Sequence, residues 1–138
     1  MENAKELIRS ASELNLDHKL LTQSEAEVYI QDIFTRFKVG KTTGHLAIWH
    51  ESQTLPLNEY EYKYSEHLPD EPVYVFFEQQ GLDKNAVVIL TQGKMLGKVV
   101  ENSFGMEYFV SDASSSFLIA VNWYAIEIAG AAKEYFHK

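Results

Sequence analysis

Residues Phe117-Leu118-Ile119-Ala120-Val121 decide how this chain folds. Five successive apolar side chains bounded by polar turns read as a strand that is buried on both faces, and such a strand belongs in the middle of a sheet. Working outward, Met106–Ser111 reads as the strand before it. The two are joined by the polar turn Asp112-Ala113-Ser114-Ser115-Ser116. Further upstream, Val73–Glu78 and Ala86–Leu90 are rich in β-branched and aromatic residues. Gln79–Asn85 links them with Gly81 and Asp83, which predicts an antiparallel hairpin. Downstream, Tyr124–Ile128 reads as a further strand, Gly130 as a break, and the residues up to Phe136 as a short helix.

Before the sheet the period is helical. Ala4, Leu7, Ile8, Ala11 and Leu14 form one apolar stripe, with Asn3 and Glu6 as an expected capping pair and a stop near Asn15. A second helix is expected from Thr22, capped with Glu25, along the stripe Ile30, Ile33, Phe34 and Phe37. Arg36 and Lys38 favour its negative end, and Gly40 is placed to terminate it. His45–His50 reads as a strand. Met95, Leu96, Val99 and Val100 predict a short helix over residues 92–102. The expectation is one α+β domain spanning 1–138. Its two N-terminal helices pack on one face of a mainly antiparallel sheet, with one inserted helix and a short C-terminal helix. Phe34, Phe37, Val75, Phe77, Ile89, Ile119 and Val121 are the expected core.

Composition supports a folded domain: 46% of residues are hydrophobic and 13% aromatic, ample for a core. Cysteine is absent, which excludes disulfides, thiolate ligands and thiol chemistry. The opening Met-Glu-Asn-Ala-Lys-Glu-Leu lacks the basic and apolar blocks of a signal peptide, so the cytoplasm is the expected compartment.

The charge is unevenly placed. Seven carboxylates and one lysine between Glu51 and Glu78 give a local balance of about −6 against −8 for the whole chain. Acid on this scale repels nucleic acid and anionic membranes and attracts basic proteins. Within it, Asn58-Glu59-Tyr60-Glu61-Tyr62-Lys63-Tyr64 alternates charge and ring. At strand period, Tyr60, Tyr62 and Tyr64 project to one side, with Glu59, Glu61 and Lys63 on the other. The rings then either cover the core or face a partner. Under the second reading the partner-binding residues are Trp49, Glu51, Glu59, Tyr60, Glu61, Tyr62, Tyr64, Glu66, Asp70 and Glu71.

Catalytic and cofactor motifs are incomplete. Gly40-Lys41-Thr42-Thr43-Gly44 resembles the end of a phosphate-binding loop. However, the glycine required five residues earlier is Thr35, and the segment follows a helix instead of opening one. His45 and His50 fall on opposite faces of a strand, while His18, His67 and His137 sit in expected turns or at the terminus. Ser114-Ser115-Ser116 lacks the glycines of a nucleophile elbow and reads as turn chemistry. Gly93-Lys94-Met95-Leu96-Gly97 has the spacing of a helix-packing motif that acts in lipid, against which the neighbouring lysines argue. The expectation is no metal, no cofactor, no nucleotide and no enzymatic activity.

The closing stretch, Glu107-Tyr108-Phe109-Val110-Ser111 through Phe117–Asn122 to Ile126-Glu127-Ile128, is similar to strand–turn–strand segments in small bacterial families. With its length, acidity and helix-first layout, the chain resembles immunity proteins of polymorphic-toxin and contact-dependent inhibition systems. That resemblance implies a cytoplasmic inhibitor whose partner is a cognate toxin domain, often a basic nuclease, occluded at its active site. Type III secretion chaperones and SUKH-like domains are similar in size and layout. A small carboxylate enzyme is the third class.

Overall fold

A computed structural model describes residues 2–136 and gives an α+β domain. Helix α1 (Glu2–Glu13) leads into β1 (His18–Leu20), and α2 (Gln23–Phe37) is followed by a long loop and β2 (Gln53–Leu55). Then come α3 (Leu57–Tyr60), a 3-10 turn at Tyr64–His67, β3 (Val73–Phe76) and β4 (Val87–Leu90). Helix α4 (Leu96–Glu101) precedes β5 (Tyr108–Ser111), β6 (Phe117–Val121), β7 (Ile126–Gly130) and a 3-10 turn at Ala131–Phe136. The strands form one sheet in the order β1-β4-β3-β5-β6-β7-β2, antiparallel throughout.

The expected β3–β4 hairpin, the β5–β6 pairing and the central β6 are all present, and every residue of β6 is buried. The turn between β5 and β6 is made by Asp112, which accepts from the Ser116 amide at 2.8 Å and from the Ser116 hydroxyl. The serine run is turn chemistry. Short β1 and β2, which the sequence reading left out, close the two edges; three-residue edges give little template for pairing with another chain.

The two N-terminal helices flank opposite faces, where the sequence reading put both on one. On the first face, Ala4, Leu7 and Ala11 of α1 join Val75, Phe77, Val88, Val110, Ile119 and Ile128. On the second, Ala26, Ile30 and Ile33 of α2 join Phe76, Val87, Phe109, Leu118 and Ala120. The reason lies in the strands. Phe76-Phe77, Val87-Val88, Phe109-Val110 and Leu118-Ile119 are apolar at adjacent positions, so both sheet faces need a cover. Strand β1, paired to β4 between the two helices, carries the chain across the edge. Val75, Phe77, Ile119 and Val121 are fully buried as expected, whereas Phe34, Phe37 and Ile89 are only half-buried.

Local capping differs between the helices. Thr22 and Glu25 form the expected capping box of α2, which ends on Lys38 in the left-handed region (φ 51°), two residues before Gly40. Helix α1 is capped from a distance. The Asp83 carboxylate accepts from the amides of Asn3 (3.0 Å) and Ala4 (3.2 Å), while Glu6 bonds Arg9 and the Phe104 amide instead of Asn3. That Arg9 contact holds the Glu6 carboxyl below its ordinary range.

His45–His50 is not a strand. Leu46 and Ile48 are buried on the second face, so the apolar alternation is real, but two carboxylates take the amides a ladder would use. Glu107 accepts from Leu46 N (2.9 Å) and contacts His45 Nδ1 (2.7 Å). Glu127 accepts from Ile48 N (2.8 Å), Trp49 N (2.9 Å) and Ser52 Oγ (3.3 Å). A half-strand is thereby fastened flat over a face that α2 covers only in part.

Replacing Glu127 by Ala leaves the buried Ile48 amide and the part-buried Trp49 amide without acceptors, and unfolding titration should show a loss of about 1–3 kcal/mol. On the first face, the Tyr64 and Tyr108 hydroxyls bond each other at 2.8 Å with both residues buried. Tyr64→Phe or Tyr108→Phe alone should cost about 1–3 kcal/mol and the double variant much less than the sum, since it orphans neither hydroxyl. Burial also pushes both phenols above tyrosine's ordinary pKa. Their neutral forms therefore support the fold fully below pH ~10, and stability falls as pH rises past that value. The double variant should lose less stability on that alkaline limb.

Candidate partner-binding surface

The acidic stretch is ordered as short helical turns, not as a strand. After Pro56 the chain enters α3, and its next turns place Tyr60 and Tyr64 four residues apart on the same side. Tyr64 is entirely buried. Tyr60 is half-buried, its ring 6.0 Å from that of His67 and 5.9 Å from that of Phe136. Tyr62 points elsewhere and is 40% exposed. The strand-period reading of the three rings is therefore corrected: one is core, one packs in a satellite cluster, and one is available to a partner.

What fixes this segment is close backbone approach. A Cβ on Gly97 would lie 2.2 Å from the Tyr62 carbonyl oxygen, and one on Gly93 would lie 2.4 Å from that of Glu71. The Ser65 hydroxyl ties the same surfaces together, donating to Lys94 O and accepting from Gly97 N, both at 2.9 Å. The four-residue glycine spacing thus serves packing of a helical turn against a loop backbone instead of a second helix.

Along this anchored segment Glu59, Glu66, Asp70 and Glu71 are exposed and Glu61 is half-exposed. Among the described residues no salt bridge engages any of them. Tyr62 lies near Glu61 and Glu101, and partial burial together with those charges raises its phenol pKa. Trp49 and Glu51 are separated from the rest by strand β2. Trp49 is 64% exposed at φ 66°, its ring lying over Gly40. Glu51, at φ 49°, contacts His50 at 3.6 Å and borders a cleft that Arg36, Lys38 and Lys133 also line. The ten residues picked from the sequence are thus a group on the α3–β3 segment, a separate pair before β2, and one core ring.

A second surface was missed. Phe104, Trp123 and Tyr124 are 50%, 48% and 73% exposed at one end of the sheet. Register brings them together, because Tyr108 pairs with Val121 and Val121 with Ile126, so the residues before β5 and between β6 and β7 share that end. Trp123 lies against Gly105, and Tyr124 packs edge-on to His45 with ring centroids 5.0 Å apart. The available signal was the adjacent Trp123-Tyr124 pair in a polar turn, where core packing does not call for two large rings.

No group of three or more His, Asp or Glu side chains that could hold a metal ion occurs among the described residues, and no helix there is long and apolar enough to cross a membrane. No family model matches the sequence, and neither the curated proteins nor the solved structures provide a match. The surface chemistry has to be read from this chain's own residues.

The glycine contacts make a direct prediction. Gly97→Ala should destabilise the protein by about 1–3 kcal/mol, because its methyl group meets a backbone carbonyl that cannot rotate away. Thermal unfolding measures the loss, and limited proteolysis should cut first between Leu57 and Glu71.

Proposed function

We propose that this chain is a cytoplasmic protein-binding inhibitor of the immunity type, neutralising a toxin domain that presents a basic surface. The observation that carries the reading is the set of carboxylates Glu59, Glu61, Glu66, Asp70 and Glu71. They are free of salt bridges among the described residues and held on a segment pinned by Tyr64, Ser65 and Gly97. Charges on an ordered frame steer a basic partner and lose little conformational freedom when it arrives. Tyr62, exposed between Glu61 and Glu101, supplies the stiff contact area that charges lack.

The test takes as toxin domain a basic candidate sought among the products of genes neighbouring this chain's own. Co-expression should restore growth to cells making that domain, and the two proteins should co-purify. In stopped-flow mixing at low salt, Glu59→Lys combined with Glu61→Lys should slow association by about tenfold or more while dissociation changes little. The difference should shrink as salt rises. Absence of both rescue and complex rejects the reading.

A further inference from the structure

The aromatic end of the sheet holds a small acid-lined recess, and we propose that it seats one arginine side chain of the bound partner. This deepens the inhibitor reading and rests on it, since it presumes a basic protein partner. The recess has a volume of about 180 Å³ and is bordered by Asn3, Glu78, Glu107, Trp123, Met106 and the two glycines Gly44 and Gly105. Two of its walls are carboxylates and none is a cation.

The carboxylates are positioned before any partner arrives. Glu107, whose side chain is only 9% exposed, is held by Leu46 N and His45 Nδ1. Glu78 Oε2 accepts from Gly44 N at 2.9 Å, and its Oε1 has no partner among the described residues. A carboxylate offers about four acceptor positions, so capacity remains on both. Trp123 supplies a flat wall, since an added Cβ at Gly105 would stand 3.1 Å from its ring.

A guanidinium matches this set of walls. It is planar, stacks on indole, and presents several N–H donors to carboxylate oxygens at once. Desolvating it here is offset by two negative groups. Phe104 and Tyr124, exposed and next in sequence to the lining residues Gly105 and Trp123, offer apolar contact to residues neighbouring the arginine. Charge complementarity thus selects the occupant: a recess walled by two carboxylates on a chain of net charge −8 attracts a cation.

The chain has two tryptophans, so Trp49→Phe leaves Trp123 as the sole indole reporter. The probe is a tripeptide amide with arginine between two leucines, compared with the same peptide carrying neutral citrulline. Trp123 emission should change saturably with the arginine peptide and not with its citrulline counterpart. Affinity should fall by about threefold or more on Glu78→Gln and again as salt rises. An equal response to both peptides, no saturable response, or unchanged affinity in Glu78→Gln overturns the proposal. The unsubstituted protein is then mixed with the toxin domain. Toxin binding with a silent recess overturns this inference alone, whereas arginine binding without toxin binding keeps the recess and rejects the inhibitor reading.

Discussion

Everything in this fold answers to a sheet that is apolar on both faces. Central strands β3, β5 and β6 bury every residue or nearly every residue, so neither face can be left to water. The chain meets this demand asymmetrically. Helices α1 and α4 with the α3 segment cover the first face, while α2 alone crosses the second and leaves part of it to the loop through Leu46 and Ile48.

A loop used as a core lid brings its backbone amides into a dry place, and they need acceptors. Glu107 and Glu127 supply them, each rising from the second face to hold two neighbouring amides or an amide and an imidazole. Their negative charge makes each bond stronger than a neutral pair would be. The same fastening has a consequence at the surface. His45 and Gly44 are set beside Tyr124 and Glu78, so the lid also builds part of the acid-lined recess. On the first face the corresponding device is steric: Gly93 and Gly97 let the acidic segment lie directly on the helical turn below it.

For the protein partner proposed above, the two exposed surfaces have complementary qualities. The α3–β3 segment carries charge with one available ring, which acts at long range and on encounter. The sheet end carries three exposed rings around two fixed carboxylates, which act at contact and on residence time. Glu101 lies between them in sequence, at the end of α4, whose Gly97 lies against the Tyr62 carbonyl.

The sequence by itself determined the elements whose partners are near in the chain or whose pattern is unambiguous. Phe117–Val121 as a central strand, the Val73–Leu90 hairpin, the Thr22–Glu25 cap and the Asp112–Ser116 turn all follow from local period and local hydrogen bonding. Only the tertiary structure decided the rest, and in each case the deciding group lies far away in sequence. Asp83 displaced Glu6 as the cap of α1, and carboxylates at 107 and 127 took the amides that would have made 45–50 a strand. Gly97 and Tyr108 turned the Tyr60–Tyr64 alternation into helical turns with one ring buried. The candidate site divided along the same line. Acid content was legible because charge is a property of composition, whereas the cluster of Phe104, Trp123 and Tyr124 exists only because antiparallel register gathers separate strand ends at one edge.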